Sequence, residues 1–200
     1  MMIPNWGDEP PAATPLGPDE FDQLIPTGIA TRADLNAVER DNILSARLWA
    51  FTQRSISGAD ALLQTKTLDA IHGRMFGNVW KWAGKRRTKD TDIGAEPAQI
   101  VTRLKDALDD ARYWHDHATF DRIETAVRIH HRLVQVHPYV NGNGRHARFV
   151  ADLYLHVIGE AALPWRPAES DASADRARYI SALELADRGD YSALIAYATN

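Results

Sequence analysis

The chain has 200 residues, 25% of them charged and 44% apolar, with no cysteine and a formal net charge of -4. This is enough apolar material for one full core, or for one domain with an extension. It excludes disulfides and cysteine-ligated zinc. Residues 1–10 lack a basic stretch followed by an apolar run, so no secretory signal is expected. The apolar stretch Phe149–Ile158 is interrupted by Asp152 and His156 and is too short to span a bilayer. A cytoplasmic protein with no membrane partner is the expectation.

Six of the ten prolines lie within residues 1–26, so residues 1–30 are expected to form an acidic, proline-rich arm. One turn at Asp19–Leu24 fits there, with Ile3 and Trp6 as docking side chains. Asp8, Glu9, Asp19, Glu20 and Asp22 give the arm five acids and no base, which leaves 23 basic against 22 acidic residues elsewhere. A body so nearly neutral argues against nucleic acid as a partner held by bulk charge.

Residues 31–200 read as a single all-α domain. Thr31 with Asp34 makes a capping box, and Leu44, Leu48 and Phe51 recur at i, i+4, i+7 as an apolar face. A second helix is predicted over Ala59–Phe76, followed by an aromatic, small-residue elbow at Trp80–Gly84. Thr88–Ala95 is polar and turn-prone, which fits a loop or a short hairpin. Pro97 suits a first helical position, and Ile100, Leu104, Leu108, Ala111 and Trp114 then share a face. The next helix is predicted over Asp121–Val136 and stops near His137, because Pro138 restricts the residue before it. Asn143–Ile158 is apolar on nearly all sides beyond its first turn, the mark of a central, buried helix. Helices over Ser173–Asp187 and Tyr191–Thr199 complete the domain.

The densest chemistry lies in His137-Pro138-Tyr139-Val140-Asn141-Gly142-Asn143-Gly144-Arg145-His146-Ala147-Arg148. Gly142 and Gly144 let a ligand approach the main chain. The helix that follows begins with amides lacking internal partners, and its dipole favours negative charge there. Arg145 and Arg148 lie on one side of its first turn and suit phosphate oxygens. His137 titrates near neutrality and could take a proton from an incoming hydroxyl. The other reading is a histidine before a proline in an ordinary glycine corner.

The segment resembles the Fic/Doc signature, His-Pro-Phe-x-(Asp/Glu)-Gly-Asn-Gly-Arg-x-x-Arg, with Tyr139 at the phenylalanine and Asn141 at the acid. Met75–Gly84 is similar to the family's Phe-Gly-x-x-x-x-Trp-Ala-Gly stretch, and Tyr179–Leu183 to its Tyr-x-x-Ala-Leu helix. The full layout resembles the branch called mobile mystery protein B. The resemblance implies a Fic-fold helical bundle around a central buried helix, with a short β-hairpin flap. It implies transfer of AMP from ATP to a Ser, Thr or Tyr hydroxyl of a target protein, with His137 as base. Gly142, Asn143, Gly144, Arg145 and Arg148 would hold the phosphates, and Thr91, Asp92, Ile93 and Gly94 the flap that docks the target. Mg²⁺ would sit at Asn141, more weakly than at the usual acid because an amide carries no charge. A Doc-like protein kinase, a de-AMPylase or a nucleotide-binding module working with a partner protein are the alternatives.

Many Fic proteins are silenced by a glutamate in a Ser/Thr-x-x-x-Glu-Gly/Asn helix that occupies a phosphate arginine. No glutamate here fits that pattern; Glu39, with Asn42 after it, comes nearest and reads as a solvated helix charge. A helix-turn-helix or antitoxin-like partner could serve instead, as this branch tends to be encoded beside such a protein. His130, His131 and His137 lack carboxylates at ligand spacing and read as non-metal histidines. His146 divides between a ligand contact and the surface. Trp80, Trp82 and Trp114 read as core rather than base-stacking. Lys85, Arg86, Arg87 and Lys89 read as a solvated basic loop rather than a contact to an acidic target or nucleotide.

Overall fold

The computed structural model describes residues 22–165 and 172–200. The proposed docking of Ile3 and Trp6 lies outside them. Eight α-helices are present among the described residues: α1 Arg32–Thr52, α2 Ala59–Leu62, α3 Thr65–Phe76, α4 Ile100–Asp116, α5 Arg122–Val136, α6 Asn143–Val157, α7 Ala172–Asp187 and α8 Ser192–Thr199. The all-α bundle follows the sequence expectation. None of these helices is long and apolar enough to cross a membrane.

Local signals set most boundaries. The Thr31 hydroxyl accepts from the Asp34 amide while the Asp34 carboxylate accepts from the Thr31 amide, a complete capping box for α1. Asp121 caps α5 by accepting from the Glu124 amide at 2.8 Å. Pro97 opens a 3₁₀ turn over Pro97–Gln99 that feeds α4. The helix expected over 59–76 is instead two, α2 and α3, broken at Leu63 and Gln64. Gln64 is extended there, with both leucines beside the break fully buried.

The centre of the core is α6, whose Ala147, Phe149, Val150, Ala151, Leu153 and Leu155 are almost inaccessible. Helix α5 packs along it and α4 covers α5. Helix α1 packs against α3, and both also touch α6.

The inward face of α1 differs from the expected one. Leu35, Glu39, Asn42, Ala46 and Ala50 are buried, whereas Leu44 and Leu48 are 57% and 64% exposed. At 3.6 residues per turn the two stripes are on opposite sides of the helix. The small side of α1 faces α3, and Asn42 locks it there by donating to the Arg74 and Met75 carbonyls at the end of α3.

The hairpin expected at Thr88–Ala95 is absent: these residues form an irregular loop. The β-bridges among the described residues pair Leu24 with Trp80 and Arg86 with Tyr139. The loop is therefore anchored at its root against the 137–139 segment rather than against itself.

Candidate active site

Helix α5 ends at Val136, and His137 follows in the left-handed conformation, φ 49° and ψ 59°. A non-glycine residue there costs about 1–2 kcal/mol. The chain then turns through Tyr139–Gly142 into α6. Asn143 closes this turn with its side chain: Oδ1 accepts from the Tyr139 amide at 2.9 Å, and Nδ2 donates to the Tyr139 carbonyl at 2.8 Å. Its side chain is thus spent on structure, and only its amide can face a ligand. Gly142 sits at φ 77°, and a Cβ built on it would lie 2.4 Å from the Phe76 ring. The site requires glycine there for both conformation and close approach.

The first backbone bond of α6 runs from the His146 amide to the Gly142 carbonyl at 2.9 Å. The amides of Asn143, Gly144 and Arg145 precede that ladder, as required for anion binding at a helix N-terminus. Arg145, Arg148, His137 and these loop residues line one cavity of about 1470 Å³. Ile93 and Gly94 of the 88–95 loop line it too, as do Glu39, Trp80 and Tyr179. Arg148 lies 4.5 Å over the Tyr179 ring, a cation–π contact that holds the guanidinium beside the cavity.

Burial first, and then the Arg87 charge, push the His137 pKa down to about 4, with the Val134 carbonyl acting the other way. The ring is therefore neutral at physiological pH and able to accept a proton. Its Nδ1 is buried without a hydrogen bond of good geometry.

Several side chains take roles their sequence positions did not advertise. Glu39 is buried; it accepts from Trp80 Nε1 at 2.6 Å and from Arg145 Nη1 at 2.5 Å. The solvated-charge reading of Glu39 is therefore wrong. Its place in the stripe Leu35, Glu39, Asn42, Ala46 was the signal available. His72, not singled out from sequence, accepts the Gly84 amide on Nδ1 at 2.9 Å, so its proton is on Nε2, which donates to the Asn141 carbonyl at 3.1 Å. Burial drives its pKa down to about 2, which keeps it neutral and supporting the loop.

His146 is also buried, with Nε2 against the Leu68 carbonyl at 3.1 Å, so it is neither a ligand contact nor a surface residue. Trp80 and Trp82 are core residues stacked on each other, as expected. His130 and His131 bond to Tyr179 and to Tyr191 with Asp187. No His, Asp or Glu cluster suited to a metal exists among the described residues. The basic run is solvated only in part: Lys85 and Lys89 are exposed as expected, whereas Arg86 pairs with Asp69 at 2.9 Å and Arg87 is 4% exposed.

Magnesium is implied by the sequence resemblance, and the residues present do not fit a protein-held ion. Asn141 offers no charge, and its Oδ1 accepts from the Gly142 amide at 2.6 Å. Magnesium prefers anionic oxygen donors.

On this all-α scaffold a left-handed histidine, a helix N-terminus and two arginines line one cavity. Residues 62–155 match the Fic/DOC family. Protein adenylyltransferase fic-1 of Caenorhabditis elegans is 33% identical over 134 residues, 64% of this chain and 25% of that protein. The protein of the same name from Caenorhabditis briggsae is also 33% identical over 134 residues. The chain thus spans about a quarter of the length of these relatives. The solved structure of C. elegans Fic-1 superposes with a TM-score of 0.63 at 26% identity, over 90% of this chain and 51% of that one. BepC of Bartonella tribocorum, solved with bound AMPPNP, superposes with a TM-score of 0.64 over 89% of this chain and 94% of that one. At 16% identity it establishes the fold alone.

Proposed function

We propose that this chain is a protein adenylyltransferase that moves AMP from ATP to a Ser, Thr or Tyr hydroxyl of a target protein. The observation that carries the reading is a neutral His137 lining the same cavity as the N-terminus of α6, Arg145 and Arg148. In this scheme His137 takes the hydroxyl proton. The freed oxygen attacks the α-phosphorus of ATP, the α–β phosphoanhydride bond breaks, and pyrophosphate leaves. The amides of Asn143, Gly144 and Arg145, together with the two guanidinium groups, meet the negative charge that develops on the phosphates. The name of the C. elegans relative, and the AMPPNP bound in the Bartonella neighbour, support a nucleotide in this role. Thr91, Asp92, Ile93 and Gly94 would receive the target beside His137, with Ile93 59% exposed for the purpose.

Glu39 belongs to this reading as an internal restraint. Its carboxylate holds Arg145 and puts a negative charge where phosphates would come. A separate helix-turn-helix or antitoxin-like regulator would be a second layer over that restraint. The lack of cysteine suits a cytoplasmic setting.

The test is incubation with α-³²P ATP and, in parallel, γ-³²P ATP, with a lysate supplying targets. Label from the α position, lost in His137→Ala, is the expected result. Label from the γ position alone would replace the proposal with a protein kinase. Equal labelling by wild type and His137→Ala would remove His137 as base.

A further inference from the structure

Arg87 is a cation buried to 4% exposure, and the hydrogen bonds of its guanidinium go to main-chain carbonyls. Nε donates to the His137 carbonyl at 2.7 Å and Nη1 to the Lys89 carbonyl at 3.0 Å, while Nη2 donates to the Ala95 carbonyl. Two backbone bonds flank it: the Arg87 amide donates to the Pro138 carbonyl at 2.9 Å and the Ala95 amide to the Val136 carbonyl at 3.2 Å. Both ends of the 88–95 loop are thus tied to the residues on either side of His137. Gly94 completes the fit. It sits at φ 105°, and a Cβ built there would lie 2.5 Å from His137 Cβ and 2.9 Å from Arg87 Nη2.

We infer that Arg87 is a positioning residue, which sets the 88–95 loop and the strained His137 as one body so that a docked hydroxyl meets the base in register. A lysine cannot do this, since it offers a point charge and not a fork that spans three carbonyls. The inference rests on the transfer reading for its catalytic meaning and on hydrogen bonds alone for its structural meaning. The phosphate-binding amides of α6 and both phosphate arginines lie outside the clamp. Its loss should therefore strike the hydroxyl substrate and spare the nucleotide.

The experiment compares wild type with Arg87→Lys and Arg87→Ala in the full chain, after checking that each melts cooperatively. Amide hydrogen exchange reads the clamp without any activity. ADP binding and AMP transfer are measured beside it. In both variants exchange at residues 88–95 should accelerate at least about tenfold. ADP affinity should stay within about twofold, and kcat should fall roughly 10²-fold, the scale of a misplacement near 1 Å. Millimolar guanidinium should restore part of the rate to Arg87→Ala, and the same concentration of ammonium should not. Unchanged exchange in 88–95, or a loss of ADP affinity in proportion to kcat, would overturn the inference. If the wild type transfers nothing, exchange alone decides the clamp: acceleration upholds it while the adenylyltransferase reading falls.

Discussion

Glu39→Gln separates the charge of the restraint from its packing. In the wild type one carboxylate oxygen serves Trp80 and the other Arg145. Glutamine keeps an oxygen for the Trp80 N–H and removes the negative charge. A unit charge about 6 Å from a phosphate, at an effective dielectric near 20, is worth about 3 kcal/mol. The Arg145 side chain is 43% exposed, and solvent screening brings the expected gain to about 1.4 kcal/mol, or tenfold in Kd. Isothermal titration with ADP should thus show roughly tenfold tighter binding to Glu39→Gln, with a melting temperature close to that of wild type. Glu39→Ala should bind ADP as tightly but melt lower, since the buried Trp80 N–H then lacks its acceptor at a cost of about 1–3 kcal/mol. Unchanged or weaker ADP binding by Glu39→Gln would refute the assignment of Glu39 as a restraint.

Acid should destabilise the fold through its histidines. His72, His137 and His146 have pKa values pushed by burial to about 2, 4 and 4. The unfolded chain binds protons near pH 6.5 that the folded one refuses. Stability is therefore full above that pH and falls as pH drops from 6.5 towards 4, by about 1.4 kcal/mol per histidine per pH unit. Asp152, whose pKa burial raises, offsets a part of this. Urea unfolding at pH 7.5 and pH 5 checks it, and equal stabilities would contradict the burial argument. Gly142→Ala, forced against Phe76 at positive φ, should lose about 2–3 kcal/mol together with ADP binding; retention of both would show that the turn relaxes freely. Wild-type ADP affinity should be the same within about twofold in EDTA and in Mg²⁺, and Asn141→Asp should make it magnesium-dependent; loss of wild-type binding in EDTA would show that the loop does hold the ion.

The helices were legible because their signals are local. Thr31 with Asp34, Asp121 before α5, Pro97, and Pro138 with Gly142 each constrain the backbone within a few residues. His137, Arg145 and Arg148 were legible for the same reason: a turn into a helix N-terminus is fixed by consecutive residues. The inward face of α1 was not, because large side chains marked one side and the packing partner required the small one. Glu39 pairs with a residue 106 positions away, His72 supports the loop from 69 away, and Arg87 reaches a carbonyl 50 away. Whether a charge or an imidazole is solvated or buried depends on which acceptors and donors folding brings to it. Desolvation is affordable only once those partners are in place. The sequence by itself determined the helical scaffold and the glycine turn into α6, whereas the tertiary structure alone decided which polar residues close around it.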